Sequence, residues 1–429
     1  MVAAVSLKGM AVKLVFEGIR CFATKQEAVL RPLTLLVGEN SSGKSTFLAI
    51  CRIVQSIARN YDYPVPFNEP PFMLGAYDQI ASYKGGRRAR SFTMGLEIDG
   101  GRDGPESVQA TFVSEAGQPV LQHWQADVGS AQMRVDDLLS ANLTLHVKGS
   151  GGGATADTAG SPPLLARSIY HLLNVAHERH KEALTEAEWG RLWAFSAPFR
   201  NALGDEEYAF APIRTSPQRT YDPVGVAWNP TGSHIPMLLA GLADSSSEAE
   251  WKTLQAELTE FGVESGLFDQ IEVIRKGRKE SDPFQIGVKS GGPAFNLVDV
   301  GYGMSQVLPV LVDIARLASE DIMFLMQQPE VHLHPRAQAQ LGTFFARRAG
   351  PKQRFVVETH SDYLIDRVRM EVRRGELISP EDVSILYFER YARGARIHNL
   401  ELDTEGNIVN APPGYRQFFL DETRSLLGI

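Results

Sequence analysis

The chain has 429 residues and a mass of 47.3 kDa, enough to bury a sizeable core and to divide into two or three lobes. A formal net charge of −8 excludes an overall basic field, so any nucleic-acid contact must come from local patches. With 43% hydrophobic and 22% charged residues, no apolar run near a membrane span and no apolar signal-peptide core, the composition argues for a cytoplasmic protein with no membrane attachment. Cys21 and Cys51 are too few for a disulfide framework or a four-ligand zinc site and read as buried, inert thiols.

Residues 11–60 read as strand, turn, strand, loop and helix. Leu33-Thr34-Leu35-Leu36-Val37 is a short β-prone run of the kind buried in parallel sheets, and Phe47, Ile50, Val54 and Ile57 recur at helical spacing. Between them, Gly38-Glu39-Asn40-Ser41-Ser42-Gly43-Lys44-Ser45 fits the P-loop pattern. Gly38 and Gly43 let the backbone through Asn40, Ser41 and Ser42 curl until successive N–H groups face one point. The positive end of the following helix adds to that field, so the nest suits phosphate. Lys44 would reach the β- and γ-phosphates of ATP, and the Ser45 hydroxyl would ligate Mg²⁺. A chance glycine-rich turn is the plainer alternative; the strand before and the helix after speak against it.

From Ser91 to Lys148 short alternating segments predict an antiparallel β-lobe, and the glycine-rich run from Gly149 to Ser161 predicts a flexible loop. Leu165, Ile169, Leu172, Leu173 and Ala176 then form a helical stripe. A second helix opens with a Thr185-x-x-Glu188 capping box and carries Trp189, Leu192 and Trp193. Trp189, Trp193 and Trp251 offer more aromatic area than small local cores hide, which marks these lobes as a partner surface. Strand character returns at Tyr208 to Ile213, followed by a loop with Arg214, Pro217 and Arg219 and a helix through Leu254, Leu258 and Phe261 ending at Gly262. The last third alternates strand and helix: Asp321–Met326, Arg336–Arg348, Arg354–Val357, a helix capped by Ser361 and running to Arg374, and Val383–Phe388. That alternation predicts an α/β fold with a mostly parallel sheet. The nucleotide domain is then split, with residues 1–97 and 206–395 as its halves, 98–205 an inserted β-lobe and helical pair, and 396–429 a tail.

Three later segments carry a family resemblance. Val298-Asp299-Val300-Gly301-Tyr302-Gly303-Met304-Ser305-Gln306, immediately before an apolar helix, resembles the signature motif of ABC-type ATPases. The resemblance implies that Gly303 and Ser305 meet the γ-phosphate held by a second subunit, so that ATP drives formation of a homodimer or higher homo-oligomer. A glycine-rich helix entry without a ligand is the plainer reading of the segment alone. Met323 through Gln327-Gln328-Pro329-Glu330-Val331-His332-Leu333-His334-Pro335 looks like the Walker B strand and loop of the OLD (overcoming lysogenisation defect) family, and Val356-Val357-Glu358-Thr359-His360-Ser361-Asp362 like its switch-histidine strand. His332 and His334 read as capping residues or, less well, as metal ligands, since no carboxylate pair stands beside them.

Together these motifs imply an ABC-type ATPase head. The tail through Pro412-Pro413-Gly414-Tyr415 and on to Phe418-Phe419 is similar to that of OLD-like ATPases without a Toprim nuclease, and the chain stops about where the nuclease would begin. Stand-alone ATPases of this sort resemble the ATP-binding subunits of the phage-defence systems PARIS, Septu and Gabija, which work with a separate effector. Hydrolysis of ATP to ADP and phosphate is the enzymatic activity the resemblance implies. The candidate catalytic residues are Gln327, Gln328, Glu330 and His360. Relatives place an acid where Gln327 stands, and an amide has neither the charge nor the basicity to activate water. Slow turnover follows, with Glu330 the nearest remaining carboxylate; Gln327 reads equally as a natural residue or as an engineered trapping substitution. A DNA-repair or chromosome-maintenance ATPase that clamps DNA is the second reading. It draws on the basic clusters Lys84/Arg87/Arg88/Arg90, Arg275/Lys276/Arg278/Lys279 and Arg367/Arg369/Arg373/Arg374, which read otherwise as solvated faces.

Overall fold

The computed structural model describes residues 12–59, 65–101, 104–136, 144–157, 169–225, 227–244, 248–392 and 394–415. The chain forms two compact units, one of Met1–Glu207, Ser384–Glu401 and Ile408–Ile429, the other of Tyr208–Val383 and Leu402–Asn407.

In the first unit β1 (Val12–Glu17), β2 (Gln26–Leu30) and β3 (Leu33–Gly38) precede α1 (Lys44–Arg59). Two small hairpins follow, β4 (Asn68–Glu69) with β5 (Phe72–Met73) and, after α2 (Tyr77–Ile80), β6 (Tyr83–Lys84) with β7 (Arg87–Arg88). A meander of β8 (Ser91–Gly101), β9 (Gly104–Glu115), β10 (Gln118–Val128), β11 (Ala131–Asp136), β12 (Thr144–Gly149) and β13 (Gly152–Asp157) builds the expected antiparallel lobe. Its sheet extends past β8 to β1 and β2, so the strands before the P-loop belong to it as well. Along β10 the alternation slips. Leu121 and Trp124 are both buried because the register shifts between Leu121 and His123, where a bulge inserts one residue.

The run from Gly149 departs from the expected flexible loop. Gly149 pairs with Gly152, and β13 continues antiparallel to β12 as far as Asp157; residues 158–161 of that run lie outside the described residues. A two-residue glycine-flanked turn suits a hairpin. Its tip is pinned by the Glu188 carboxylate, which accepts from the Ser150 backbone N at 2.7 Å and from the Thr185 backbone N at 2.9 Å, completing the expected capping box. These hydrogen bonds, with that of the Ser150 backbone foremost, lower the Glu188 pKa to about 2.

Helices α3 (Ile169–His180) and α4 (Glu186–Trp193) pack on β13 and β11, and α5 (Ser196–Leu203) packs on α1. The stripe position Leu165 lies outside the described residues. Trp189 is no partner surface: its ring is buried against His177 and its Nε1 donates to the Lys181 carbonyl. Trp193 and Trp251 are half-buried.

The strand expected at Tyr208–Ile213 is β14 (Glu206–Ala209); Pro212, which has no N–H, and an exposed Ile213 stand beyond its end. The second unit continues with α6 (Ile235–Asp244), α7 (Glu248–Ser265), β15 (Gln270–Arg275), β16 (Phe284–Lys289) and β17 (Phe295–Asn296). After these come α8 (Tyr302–Arg316), β18 (Ile322–Gln327), α9 (Pro335–Arg348), β19 (Gln353–Glu358) and α10 (Asp362–Arg374), as the alternation predicted. β18 and β19 pair in parallel from Ile322↔Gln353 to Gln327↔Glu358.

Helix α7 does not end at Gly262 but runs through it to Ser265, and Gly266 at φ +72° makes the turn. Gly262 is there for clearance, since a Cβ would lie 2.4 Å from the Phe268 carbonyl oxygen. The first unit closes with β20 (Val383–Tyr391) and β21 (Gly394–Leu400), which are antiparallel to each other. The class is α/β, with helices flanking the sheets. Among the described residues no helix is long and apolar enough to cross a membrane.

Candidate functional site

The P-loop lies in the first unit, between β3, buried along its length, and α1. Gly38 at φ +139° and Gly43 at φ +101° take conformations that side chains disfavour, and Ser41 joins them at φ +60°. Both glycines also lie against neighbours. A Cβ on Gly38 would sit 2.4 Å from the Phe388 carbonyl oxygen, and one on Gly43 2.5 Å from the Phe22 ring. Phe22, Phe16, Phe47 and Phe388 form an edge-on aromatic cluster that fixes the floor of the loop. The buried Ser42 hydroxyl donates to the Glu39 carbonyl at 2.7 Å, while Asn40, Ser41 and Ser45 stand exposed. Lys44 is buried along its stem, and its ammonium donates to the Gly38 and Glu39 carbonyls at 2.9 and 2.7 Å. Cys21 lies behind the loop with burial pushing its thiol pKa up; the buried Cys51 thiol is pushed up further, which makes it inert.

The remaining candidates lie in the second unit. Gln327 ends β18 opposite Glu358; Gln328 follows at φ +44°, its N–H donating to the Glu358 carbonyl at 2.7 Å. These two amides are half-buried. Two residues on, Glu330 is buried, and its Oε1 accepts from the Thr359 hydroxyl at 2.8 Å and the His360 backbone N at 2.9 Å. The structure therefore joins Glu330 to the His360 segment, while the His360 ring stands exposed at the end of β19. Burial raises the Glu330 pKa, opposed by these hydrogen bonds and the charge of Arg214. His334 is a cap: its Nδ1 accepts from the Arg336 backbone N at the start of α9. His332, at φ +68°, packs its ring edge-on to Tyr302. Among the described residues no cluster of three or more His, Cys, Asp or Glu is placed to hold a metal.

The glycine-rich segment does start a helix. Gly301 is the N-cap of α8, and Gly301 and Tyr302 are exposed. Gly303 is buried, its missing Cβ leaving room for the His332 carbonyl, to which a methyl would come within 2.4 Å. The Ser305 hydroxyl is spent on the Tyr302 carbonyl at 2.8 Å and lines a cleft of about 340 Å³ with Thr215, Ser216, Tyr221, Met237 and Pro309. Helix α8 is anchored by Asp313, wholly buried, which accepts from the Tyr208 hydroxyl and lies 3.2 Å from His234 Nε2. Burial and the Asp313 charge push the Tyr208 pKa up.

One residue that no sequence pattern marks also belongs here. Arg214, read as a loop residue, is buried, and its backbone N–H donates to Gln306 Oε1 on α8 at 3.2 Å. Arginine is among the residues least expected to be fully buried, and only tertiary packing reveals it.

Residues 201–366 match the family model described as AAA domain, putative AbiEii toxin, Type IV TA system; the P-loop lies outside the matched span. No curated protein matches. Among solved structures, the chain is similar to an SMC head bound to the C-winged helix domain of ScpA, at 11% identity over 92% of this chain and 98% of that one, with a TM-score of 0.47. It is similar to the SMC head domain from Thermotoga maritima at 11% identity, covering 91% and 99%, with a TM-score of 0.41. The corresponding figures for the Smc head domain with a coiled coil and joint from Pyrococcus yayanosii are 9%, 97%, 100% and 0.43. The fold is α/β, with a P-loop between strand and helix and a glycine-led helix start before the β18 strand.

Proposed function

We propose that this chain is an ATP-driven dimerising switch of a bacterial anti-phage defence system, acting in the cytoplasm and controlling a separate effector protein. The observation that carries the reading is the P-loop between β3 and α1, where the Lys44 ammonium rests on the Gly38 and Glu39 carbonyls. ATP would draw Lys44 to its β- and γ-phosphates, and Ser45 would hold the Mg²⁺ that neutralises their charge. The start of α8 in a second copy would supply further N–H donors, with Gly301 and Tyr302 already exposed and Gly303 and Ser305 behind them. Contacts of this kind are isologous and close as a two-fold dimer.

Hydrolysis is the proposed reset. Gln327 and Gln328 lack a carboxylate, so Glu330 is left to serve the water and His360 to sense the γ-phosphate, and turnover is slow. The resemblance to OLD-type ATPases and the description of the matched family model, which names a toxin–antitoxin system, both favour control of a partner. Residues 1–97 and 206–395 are proposed as the two halves of the head, 98–205 as its insert and 396–429 as its tail.

Sedimentation with and without ATP·Mg²⁺ tests the reading. The parent should dimerise with ATP, whereas Lys44→Ala, which loses the charge-assisted phosphate contact, and Gly301→Glu, which puts an anion at the α8 start, should stay monomeric. A parent that stays monomeric with ATP bound would sink the proposal.

A DNA clamp is the second reading, favoured by the β6–β7 ribbon. Lys84 and Arg87 face each other across it, both are exposed, and like charges placed so repel. A phosphate backbone would relieve that repulsion, and duplex affinity falling steeply with salt would support this alternative.

A further inference from the structure

Arg214 is 2% exposed, and its buried guanidinium Nε, Nη1 and Nη2 have no hydrogen-bond partner in the described residues. A buried charge is tolerated when an opposite charge or a full set of hydrogen bonds compensates it, so Arg214 must draw its compensation from somewhere. Glu330 is the acid whose charge acts on it. Burial lowers the Arg214 pKa to about 10 while Glu330 raises it, and Arg214 in turn opposes the upward push of burial on Glu330. The groups are complementary. Among the described residues Glu330 spends Oε1 on Thr359 and His360, and its Oε2 accepts nothing. Gln306 Nε2 is likewise without a partner, while Gln306 Oε1 holds the Arg214 backbone. Unfilled donors and an unfilled acceptor thus belong to three segments: the stretch after β14, the first turns of α8, and the loop after β18.

We propose that Arg214 is a positioning residue, the internal counter-charge of Glu330, which also ties the glycine-led start of α8 to the Glu330 loop through Gln306. A movement of α8 on nucleotide-driven association would then reach Glu330 through Arg214. This consequence rests on the ATP-switch reading; the pairing itself does not.

The pairing is tested without nucleotide by chemical denaturation of the parent, Arg214→Met, Glu330→Gln and the double variant. Each single change leaves one buried group uncompensated and lowers the midpoint. The double variant, with neither charge, should be more stable than the two losses added together. Additive losses would overturn the pairing. If Arg214→Met does not fold and the double variant does, the pairing stands; if both fail to fold, it falls. The positioning role is read from steady-state hydrolysis, where Arg214→Met should lower kcat and leave KM for ATP within about twofold, and Arg214→Lys should restore part of kcat. A loss confined to KM, or a lysine no better than methionine, would remove the role. A parent that does not bind ATP would end the switch reading, and the denaturation cycle would still decide the pairing.

Discussion

Helices α1 and α8 both begin with glycine and serine close together, yet the glycines serve different ends. Before α1, Gly43 adopts φ +101°, a conformation that side chains disfavour, next to the buried Lys44. At the start of α8, Gly303 is not among the residues with positive φ; its lack of a side chain lets the His332 carbonyl approach. In the proposed reading the P-loop glycine serves a loop that would receive an anion, whereas Gly303 makes room for the loop that carries Glu330. A glycine-serine helix entry in a sequence is therefore compatible with either demand, and the neighbours of the missing Cβ tell them apart.

Substitution at the two glycines should separate them. Gly43→Val adds a branched side chain at positive φ and presses into Phe22, so it should abolish ATP binding in calorimetry and cost about 2–5 kcal/mol in denaturation. The second unit answers to a different change. Gln327→Glu restores a carboxylate at the end of β18 and should raise steady-state ATP hydrolysis by roughly 10²-fold with little change in ATP affinity. An unchanged rate would mean that Glu330 already does this work. Gly303→Ala brings a methyl against the His332 carbonyl and should cost about 1–3 kcal/mol, with P-loop ATP affinity retained. If it weakened ATP binding as much as Gly43→Val, the contrast between the two helix starts would be lost.

The smallest expected effect lies in the antiparallel lobe, away from both helix starts. Glu188→Gln removes the charged acceptor that pins the β12–β13 turn and should destabilise by about 1 kcal/mol at neutral pH. The Glu188 pKa is lowered from 4.5 to about 2, so this stabilisation is complete above the unfolded value and disappears as pH falls from 4.5 towards 2. Denaturation midpoints of parent and variant should converge over that window; a constant gap would show that the charge is not what holds the turn.

Much of the site was legible because its signals are local. The strand Leu33–Gly38, the P-loop glycines and the Thr185–Glu188 box each occupy a few adjacent residues and satisfy their own hydrogen bonds within them. The alternation of β18, α9, β19 and α10 was legible for the same reason: burial of one face imposes a period on each element. The misreadings are of another kind. Gly262 carries the usual sign of a helix end, but its role is set by the Phe268 carbonyl across a turn. The Gly149 run has the composition of a linker, and pairing with β12 makes it a strand.

The sequence by itself determined the P-loop pattern between strand and helix, the α/β alternation and the positions of Glu330 and His360 just beyond strands, because propensity, periodicity and backbone freedom act over a few neighbouring residues. Tertiary structure decided that Glu330 caps the His360 segment, that His334 caps a helix and that Gly303 makes room for a carbonyl. It also decided that Arg214 lies inside, held by its backbone to Gln306 some 92 positions away in the chain. These are matters of compensation between groups far apart in sequence, and burial of a charge or the space for a missing Cβ exists only once the segments have come together.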